Sequence, residues 1–405
     1  MAGNNTTAPK SKGKSSKNEK VGPVSDVTKS RNLKEVTRLL LWGKSAGRCE
    51  FDGCNRLLWK NSVSQEHVNI AEAAHIYAFS EKGPRGNEGI SDDALNNLDN
   101  LMLACHDCHK TMDRNPESYT VELLQGWKEK HELRIETVTG IASGKASHVL
   151  LYGENIGSHS SPLNFHEAAE ALFPHRFPAD RRPIELSTKN IAFNDATQSH
   201  WGGQRDYLVS TFNSRVKERI EAGEIQHLSV FGLAPQPLLI LLGTLLQDIC
   251  PADIYQRHRE PVQTWDWPEK ATPLEFEVEK PVEFSGPPAL VIELTAPVTE
   301  DRIFSVIDNA VIWRIKIPEQ GNDHIKSRQD LSNFRQLVHA LLGEIQEKHG
   351  HKTPLHVFPV AGVSVAIEFG RIRQPKAHMP WIIYDQNKKA EGFIETFTIP
   401  NETTE

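Results

Sequence analysis

The sequence predicts an α/β protein in two parts: a small module stapled by a metal, then a larger domain around a largely parallel sheet. Three observations predict it. Four of the five cysteines form two close pairs, Cys49-x4-Cys54 and Cys105-x2-Cys108, with Cys250 alone and far away. Beyond about residue 148, apolar runs the length of buried strands alternate with helical stretches. Within that second part, residues 228–243 align without gaps to 355–370, with Leu, Val, Phe, Ala, Ile and Gly recurring in register.

Taken in order, residues 1–25 are rich in Asn, Thr, Ser, Gly and Lys and hold almost nothing to bury, which predicts a disordered tail. A helix is expected from about Asn32, with Leu33, Val36, Leu39 and Leu40 on one face, ending near Gly43 to Gly47. Residues 49–110 read as short strands and loops, including a Gly/Pro/Asn-rich excursion at 81–91. A second helix is expected over about 119–137, carrying Val121, Leu124, Trp127 and Leu133. The Gly- and Ser-rich stretch that follows predicts a linker. The expected boundaries are therefore a tail at 1–25, a first domain at 26–139, a linker at 140–164 and a second domain at 165–400.

In the second domain, strands are expected at 228–233, 289–294, 310–317, 355–360 and 381–384, with helices at about 202–222, 236–249 and 326–348. The internal echo reads as strand, tight Pro/Gly loop, helix in each copy. Two such units can look alike by shared local logic alone, or they can descend from a duplication that left two related halves.

Composition narrows the function classes. No apolar run approaches the length of a membrane span, and no apolar stretch follows the N-terminal lysines, so a cytoplasmic protein without a secretory signal or membrane partner is expected. Paired cysteines in such a chain read as metal ligands rather than disulfides. The formal net charge is −7, which argues against a protein that coats nucleic acid. Residues 1–135 hold 20 basic and 18 acidic side chains, the remainder 26 and 35, so the N-terminal part is the better candidate for a DNA-facing end. Neither G-x-G-x-x-G nor a Walker lysine occurs in the second part, which leaves ordinary dinucleotide and NTP sites unsupported.

Cys49, Cys54, Cys105 and Cys108 can give four thiolates to one tetrahedral structural Zn²⁺. Between and after the pairs lie Ala71-Glu72-Ala73-Ala74-His75-Ile76 and Asn97-Leu98-Asp99-Asn100-Leu101-Met102-Leu103-Ala104-Cys105-His106-Asp107-Cys108-His109. Over about 49–115 this order resembles the HNH endonuclease family, whose core is a ββα-metal fold. The resemblance implies His75 as general base, His109 as the holder of a catalytic Mg²⁺ or Mn²⁺, and Asn100 either orienting His75 or lying near the metal. The residue types suit the task. A neutral imidazole accepts a proton from water near pH 7, and a cation offsets charge on the scissile phosphate. Many family members carry a metal ligand just before the base, where this chain has Ala74. Glu72 lies two residues back and is expected on the same strand face as Ala74. It would help hold the metal or His75, unless the metal relies on His109 and the phosphate alone.

Open α/β sheets place ligands in loops at strand ends, here 234–237, 295–297 and 359–362. Arg257 and its neighbours, with Trp265 nearby, would suit a nucleotide's phosphates and bases. The candidate ligand contacts are Gln236, Tyr255, Gln256, Arg257, Trp265, Thr295 and Pro359. The run LHVFPVAGVSVAIEFGRI followed by WIIYD resembles the SAVED domain over roughly 165–400. That domain is similar to two fused CARF-like Rossmannoid units, in keeping with the echo. An HNH module ahead of a SAVED domain is similar in architecture to effector nucleases of bacterial CBASS antiphage defence. The resemblance implies a cyclic di- or trinucleotide activator, assembly into a dimer or tetramer, and cutting of double-stranded DNA. The competing expectation is a restriction or homing nuclease whose second domain reads DNA sequence. The low positive charge of that domain opposes it.

Overall fold

The computed structural model describes residues 32–86, 90–154, 163–187, 198–268, 270–387 and 392–401. The expected tail at 1–25 lies outside them. The chain divides into two compact units, Met1–Glu136 and Thr137–Glu405.

The first unit runs α1 (Glu35–Lys44), β1 (Ala71–His75), α2 (Asp92–Leu95), β2 (Leu101–Cys105), α3 (His106–Arg114) and α4 (Val121–Thr139). All five residues of β2 are buried. An apolar strand this short needs a partner on its edge, and β1 pairs with it antiparallel, Ala71 opposite Cys105 and His75 opposite Leu101. The helix α3 begins at the residue after β2, so the two strands and α3 form a ββα unit. Leu41, Leu58, Ile76, Met112 and Leu124 complete the core around the hairpin. One expectation is corrected here. Val36, Leu39 and Leu40 of α1 are 66, 65 and 50% exposed, and it is Leu41 that is buried. Apolar spacing identified the helix but assigned the wrong face.

The second unit runs β3 (Ala146–Gly153), α5 (Phe165–Glu170), β4 (Phe177–Pro178), β5 (Ile184–Glu185), α6 (Gln198–Phe212), α7 (Glu218–Glu221), β6 (Leu228–Leu233), α8 (Gln236–Leu246) and β7 (Ala252–Ile254). It continues with β8 (Glu277–Glu279), β9 (Pro288–Glu293), α9 (Glu300–Phe304), β10 (Val311–Lys316), α10 (Arg328–His349), β11 (Leu355–Val360), α11 (Val363–Ile372), β12 (Trp381–Asn387) and β13 (Gly392–Ile399). One sheet has the order β4-β3-β6-β7, all parallel, with β5 also on β3. The other has the order β13-β12-β11-β9-β10-β8, parallel inside and antiparallel at both edges. The α/β reading therefore holds, and the linker at 140–164 does not. Ala146–Gly153 is a strand inside the first sheet, paired with β6 along six residues. Its apolar run, Val149 to Tyr152, is short and follows Gly and Ser, so composition marked a linker. Pairing on both edges decides otherwise. Among the described residues no helix is long and apolar enough to cross a membrane.

The echo has a physical counterpart. Strand β6 with α8, and β11 with α11, are the two copies. The helices α8 and α11 pack against each other at Gly243 and Gly370, which are equivalent positions of the repeat. A Cβ on Gly243 would stand 2.0 Å from the carbonyl oxygen of Ile367, and one on Gly370 would stand 2.0 Å from that of Ile240. Ile240 and Ile367 are also equivalent, so the contact is reciprocal, as about a two-fold axis. The outer sheet faces repeat too. Phe231 stacks on Tyr255 at 4.4 Å with Trp265 edge-on at 5.1 Å, and Phe358 stacks on Tyr384 at 4.4 Å with Phe393 edge-on at 5.0 Å.

Because the helix backbones touch at these glycines, a single methyl cannot be absorbed by a side-chain rotation. Gly243→Ala should lower the stability of this unit by about 3 kcal/mol or more, read from denaturant unfolding. Gly202→Ala, in the interior of α6 where an added Cβ meets nothing within 4 Å, should not lower the midpoint and should add about 0.5–1 kcal/mol of stability.

Candidate active site and metal centre

The four paired cysteines converge. Cys105 closes β2 and caps α3, Cys108 sits in the first turn of α3, and Cys49 and Cys54 lie on the turn after α1. Their four sulfur atoms lie within 4.8 Å of one another. The Cys105 amide donates to the Cys49 sulfur at 3.3 Å. Burial pushes the Cys49 thiol up to about 12, so only a cation would let all four sulfurs stand together as thiolates. This is the donor set and closed arrangement that suits a tetrahedral zinc.

In the same ββα unit, His75 of β1 and His109 of α3 line one cleft of about 480 Å³. Arg38, Trp42, Ala71, Phe79, Arg85 and Asp113 also line it. His75 Nε2 lies 3.2 Å from Asn96 Oδ1, and its ring meets Phe79 edge-on at 5.7 Å. His109 Nδ1 lies 2.6 Å from one oxygen of Glu72, and His106 Nδ1 lies 2.6 Å from the other. His109 Nε2 is 3.3 Å from Asp113 Oδ2. Burial alone would push the Glu72 carboxyl up, but the hydrogen bonds from His106 and His109 outweigh it and hold Glu72 below the usual carboxylate range.

Two sequence expectations change. Asn100 does not orient His75 by its side chain. Its oxygen accepts from Tyr77 N at 2.7 Å, and its nitrogen donates to the Tyr77 and Leu95 carbonyls at 3.1 and 2.9 Å. The amide pins the chain beyond β1 to the chain before β2, while Asn96 touches His75. Glu72 meets not His75 but the two histidines of α3. Sequence reading gave His106 no role and did not single out Asn96, Arg85 or Asp113. For Asp113 a signal existed, since it stands four residues after His109 on one helix face.

In the second unit the loops expected to bind ligand come together at the C-terminal strand ends. Thr295 N donates to the Val360 carbonyl at 3.0 Å, and Gln236 exchanges two hydrogen bonds with the backbone of Ala361, at 2.9 and 3.2 Å. Gln256 accepts from the Ser364 hydroxyl at 2.6 Å and is buried. Four expected contacts are corrected. Tyr255 and Trp265 belong to the buried aromatic triplet whose twin is Tyr384 and Phe393; Gln256 ties β7's end to α11; Pro359 lies inside β11, opposite Ile292, and is buried. Arg257 pairs with Glu167 at 2.9 Å and lies over the Trp265 ring at 5.2 Å. Gln236, Arg257 and Thr295 remain partly exposed around these loops.

Asn100 makes three hydrogen bonds from a nearly closed position, 7% exposed. Asn100→Ala should cost the first unit about 2–3 kcal/mol in denaturant unfolding, with no comparable loss for Asn96→Ala.

Comparison with known proteins bears on the second unit. Residues 208–399 match the family model of SAVED, the SMODS-associated and fused to various effectors sensor domain. Among solved structures, the chain is similar to the Acinetobacter baumannii Cap4 SAVED/CARF-domain containing receptor with the cyclic trinucleotide 2'3'3'-cAAA, at 12% identity and a TM-score of 0.42, covering 73% of this chain and 62% of that one. The Moraxella osloensis Cap4 receptor is similar at 13% identity and a TM-score of 0.39, covering 72% and 60%. The chain thus spans about three-fifths of the length of these structures. No curated protein matches it. The C-terminal unit is thus similar, over residues 208–399, to the SAVED sensor-domain family.

Proposed function

We propose that the chain is an effector of CBASS-type antiphage defence, acting in the bacterial cytoplasm as a metal-dependent endonuclease of HNH type on double-stranded DNA. A cyclic di- or trinucleotide bound by the SAVED domain switches it on by favouring a dimer or tetramer. The observation that carries this reading is the shared cleft of His75 and His109 beside the four-cysteine cluster, on a chain whose other unit matches a sensor domain fused to effectors.

The hydrogen bonds support a role for each ring. With the Asn96 oxygen accepting from Nε2–H, His75 would present its lone pair on Nδ1. That nitrogen takes the proton from the attacking water. Glu72 accepts from Nδ1–H of His109, which leaves Nε2, beside Asp113, to hold a divalent ion. Mg²⁺ or Mn²⁺ held there supplies positive charge against the oxygens of the scissile phosphate. Arg38, exposed at the cleft and without an ion pair among the described residues, suits a neighbouring backbone phosphate. The cysteines hold structural zinc and keep the hairpin closed.

The switch requires only that the ligand bind the assembled state more tightly than the free one. The formal charge of the chain, −7, fits a protein that engages DNA through one small module rather than along its length.

Purified protein should leave supercoiled plasmid intact in Mg²⁺ and degrade it when one member of a panel of synthetic cyclic di- and trinucleotides is added. His75→Ala should bind that member as tightly and lose about 100-fold or more in cutting. Ligand-independent cutting into discrete fragments would defeat the proposal. Separately, Cys49→Ser should abolish zinc in elemental analysis and destabilise the first unit by about 4 kcal/mol or more, while the unfolding of the second unit stays where it was.

A further inference from the structure

Arg85 lies in the Gly/Pro/Asn-rich excursion between the two strands and has no part in the chemistry above. Its side chain is 3% exposed, rare for a guanidinium. Its φ of +64° falls in the left-handed region that favours glycine, so the backbone alone gives no reason for an arginine there. The side chain does. Nε donates to the Ile76 carbonyl at 2.7 Å, and one terminal nitrogen donates to the Met112 carbonyl at 2.9 Å. The other terminal nitrogen reaches the His75 carbonyl at 3.3 Å and Asp113 Oδ1 at 2.8 Å. Two of these acceptors end the strand that carries His75. The other two belong to the helix that carries His109, and the second oxygen of Asp113 is the one 3.3 Å from His109 Nε2.

We propose that Arg85 is a positioning residue that fixes the separation of His75 and His109 by clamping the end of β1 to α3 and Asp113. The proposal rests on the nuclease reading above. A planar guanidinium sets the angles among its acceptors, whereas an ammonium on a flexible stem does not. A site that must hold two imidazoles about one phosphate loses rate steeply when either drifts. Glu72 joins β1 to α3 through side chains, and this clamp joins the end of β1 to α3 largely through backbone carbonyls.

The test uses the full-length chain as wild type, Arg85→Lys, Arg85→Gly and His75→Ala. Zinc content and thermal midpoint report the fold; a Mn²⁺ titration followed by electron paramagnetic resonance reports the ion site. Single-turnover nicking of supercoiled plasmid, with Mg²⁺ and the cyclic nucleotide panel, reports the chemistry. Arg85→Lys should keep its zinc and midpoint and its KM for DNA, yet nick about 100-fold more slowly and bind Mn²⁺ about tenfold more weakly. Arg85→Gly relieves the backbone conformation, so its loss cannot be laid to strain, and added guanidinium ion should restore part of its nicking while doing nothing for His75→Ala. Nicking and Mn²⁺ binding at wild-type levels in Arg85→Lys would overturn the positioning role and leave the nuclease reading standing. A wild-type chain that neither binds Mn²⁺ nor nicks with any panel member overturns the nuclease reading, and this role with it.

Discussion

The register of one five-residue hairpin governs the whole first unit. Side chains on a strand alternate between faces, so a slip of one residue between β1 and β2 would turn Glu72 away from α3 and carry His75 to the wrong side. Ordinary hairpins take their register from a tight turn, but here the strands are joined by twenty-five residues between His75 and Leu101, too many to dictate it. The chain fixes the register at its two ends instead. At one end the Asn100 amide grips both backbone groups of Tyr77, and at the other the Cys105 amide meets the Cys49 sulfur. The four-cysteine cluster and the central asparagine are therefore mechanical parts, and the histidines owe their meeting to them.

The second unit solves a different problem with the same economy. Two strand–loop–helix copies must bury the faces of two sheets, and each supplies one helix to a shared layer between them. Glycine at the crossing lets the helices approach until backbone touches backbone, and both sheets then contribute to a single core. The contact places the loops after β6 and β11 side by side, where Gln236 bonds to Ala361. Loops from both halves thus line one rim, as the ends of parallel strands do in open α/β sheets.

Much of this was legible in the sequence, and the failures share a cause. Cysteine spacing, the Ala74-His75-Ile76 run and the echo are local patterns, and each corresponds to a local structure. Strands β6 and β11 stand where apolar runs marked them. What was not legible is which face an element turns inward and what a polar side chain finally meets. Val36, Leu39 and Leu40 look like a core stripe, yet Leu41 faces the hairpin. Tyr255 and Trp265 look like a base-stacking platform, yet they fill an outer-face core that the other half builds from Tyr384 and Phe393. Asn100 and Glu72 stand out in the sequence as polar residues within the motif, but their partners, Tyr77, His106 and His109, are set by tertiary contact that spacing does not encode. Strand β3 was lost because a buried parallel strand needs no alternation and its flanks were Gly- and Ser-rich.

The packing of the second unit also bears on how the proposed switch would work. A hinge between its two halves would have to part α8 from α11 at Gly243 and Gly370. That would open a core spanning both sheets and break the Gln236–Ala361 pair. Ligands shift conformational equilibria only by their differential affinity, and typical couplings amount to about 1–3 kcal/mol. Exposing a shared core of this size costs far more at about 25 cal/mol per Å² of apolar surface. Binding at the rim is therefore better converted into a change in what the rim loops present outward. A second protomer can read such a change without any loss of core. This is the physical ground on which the proposed activation is by assembly rather than by opening.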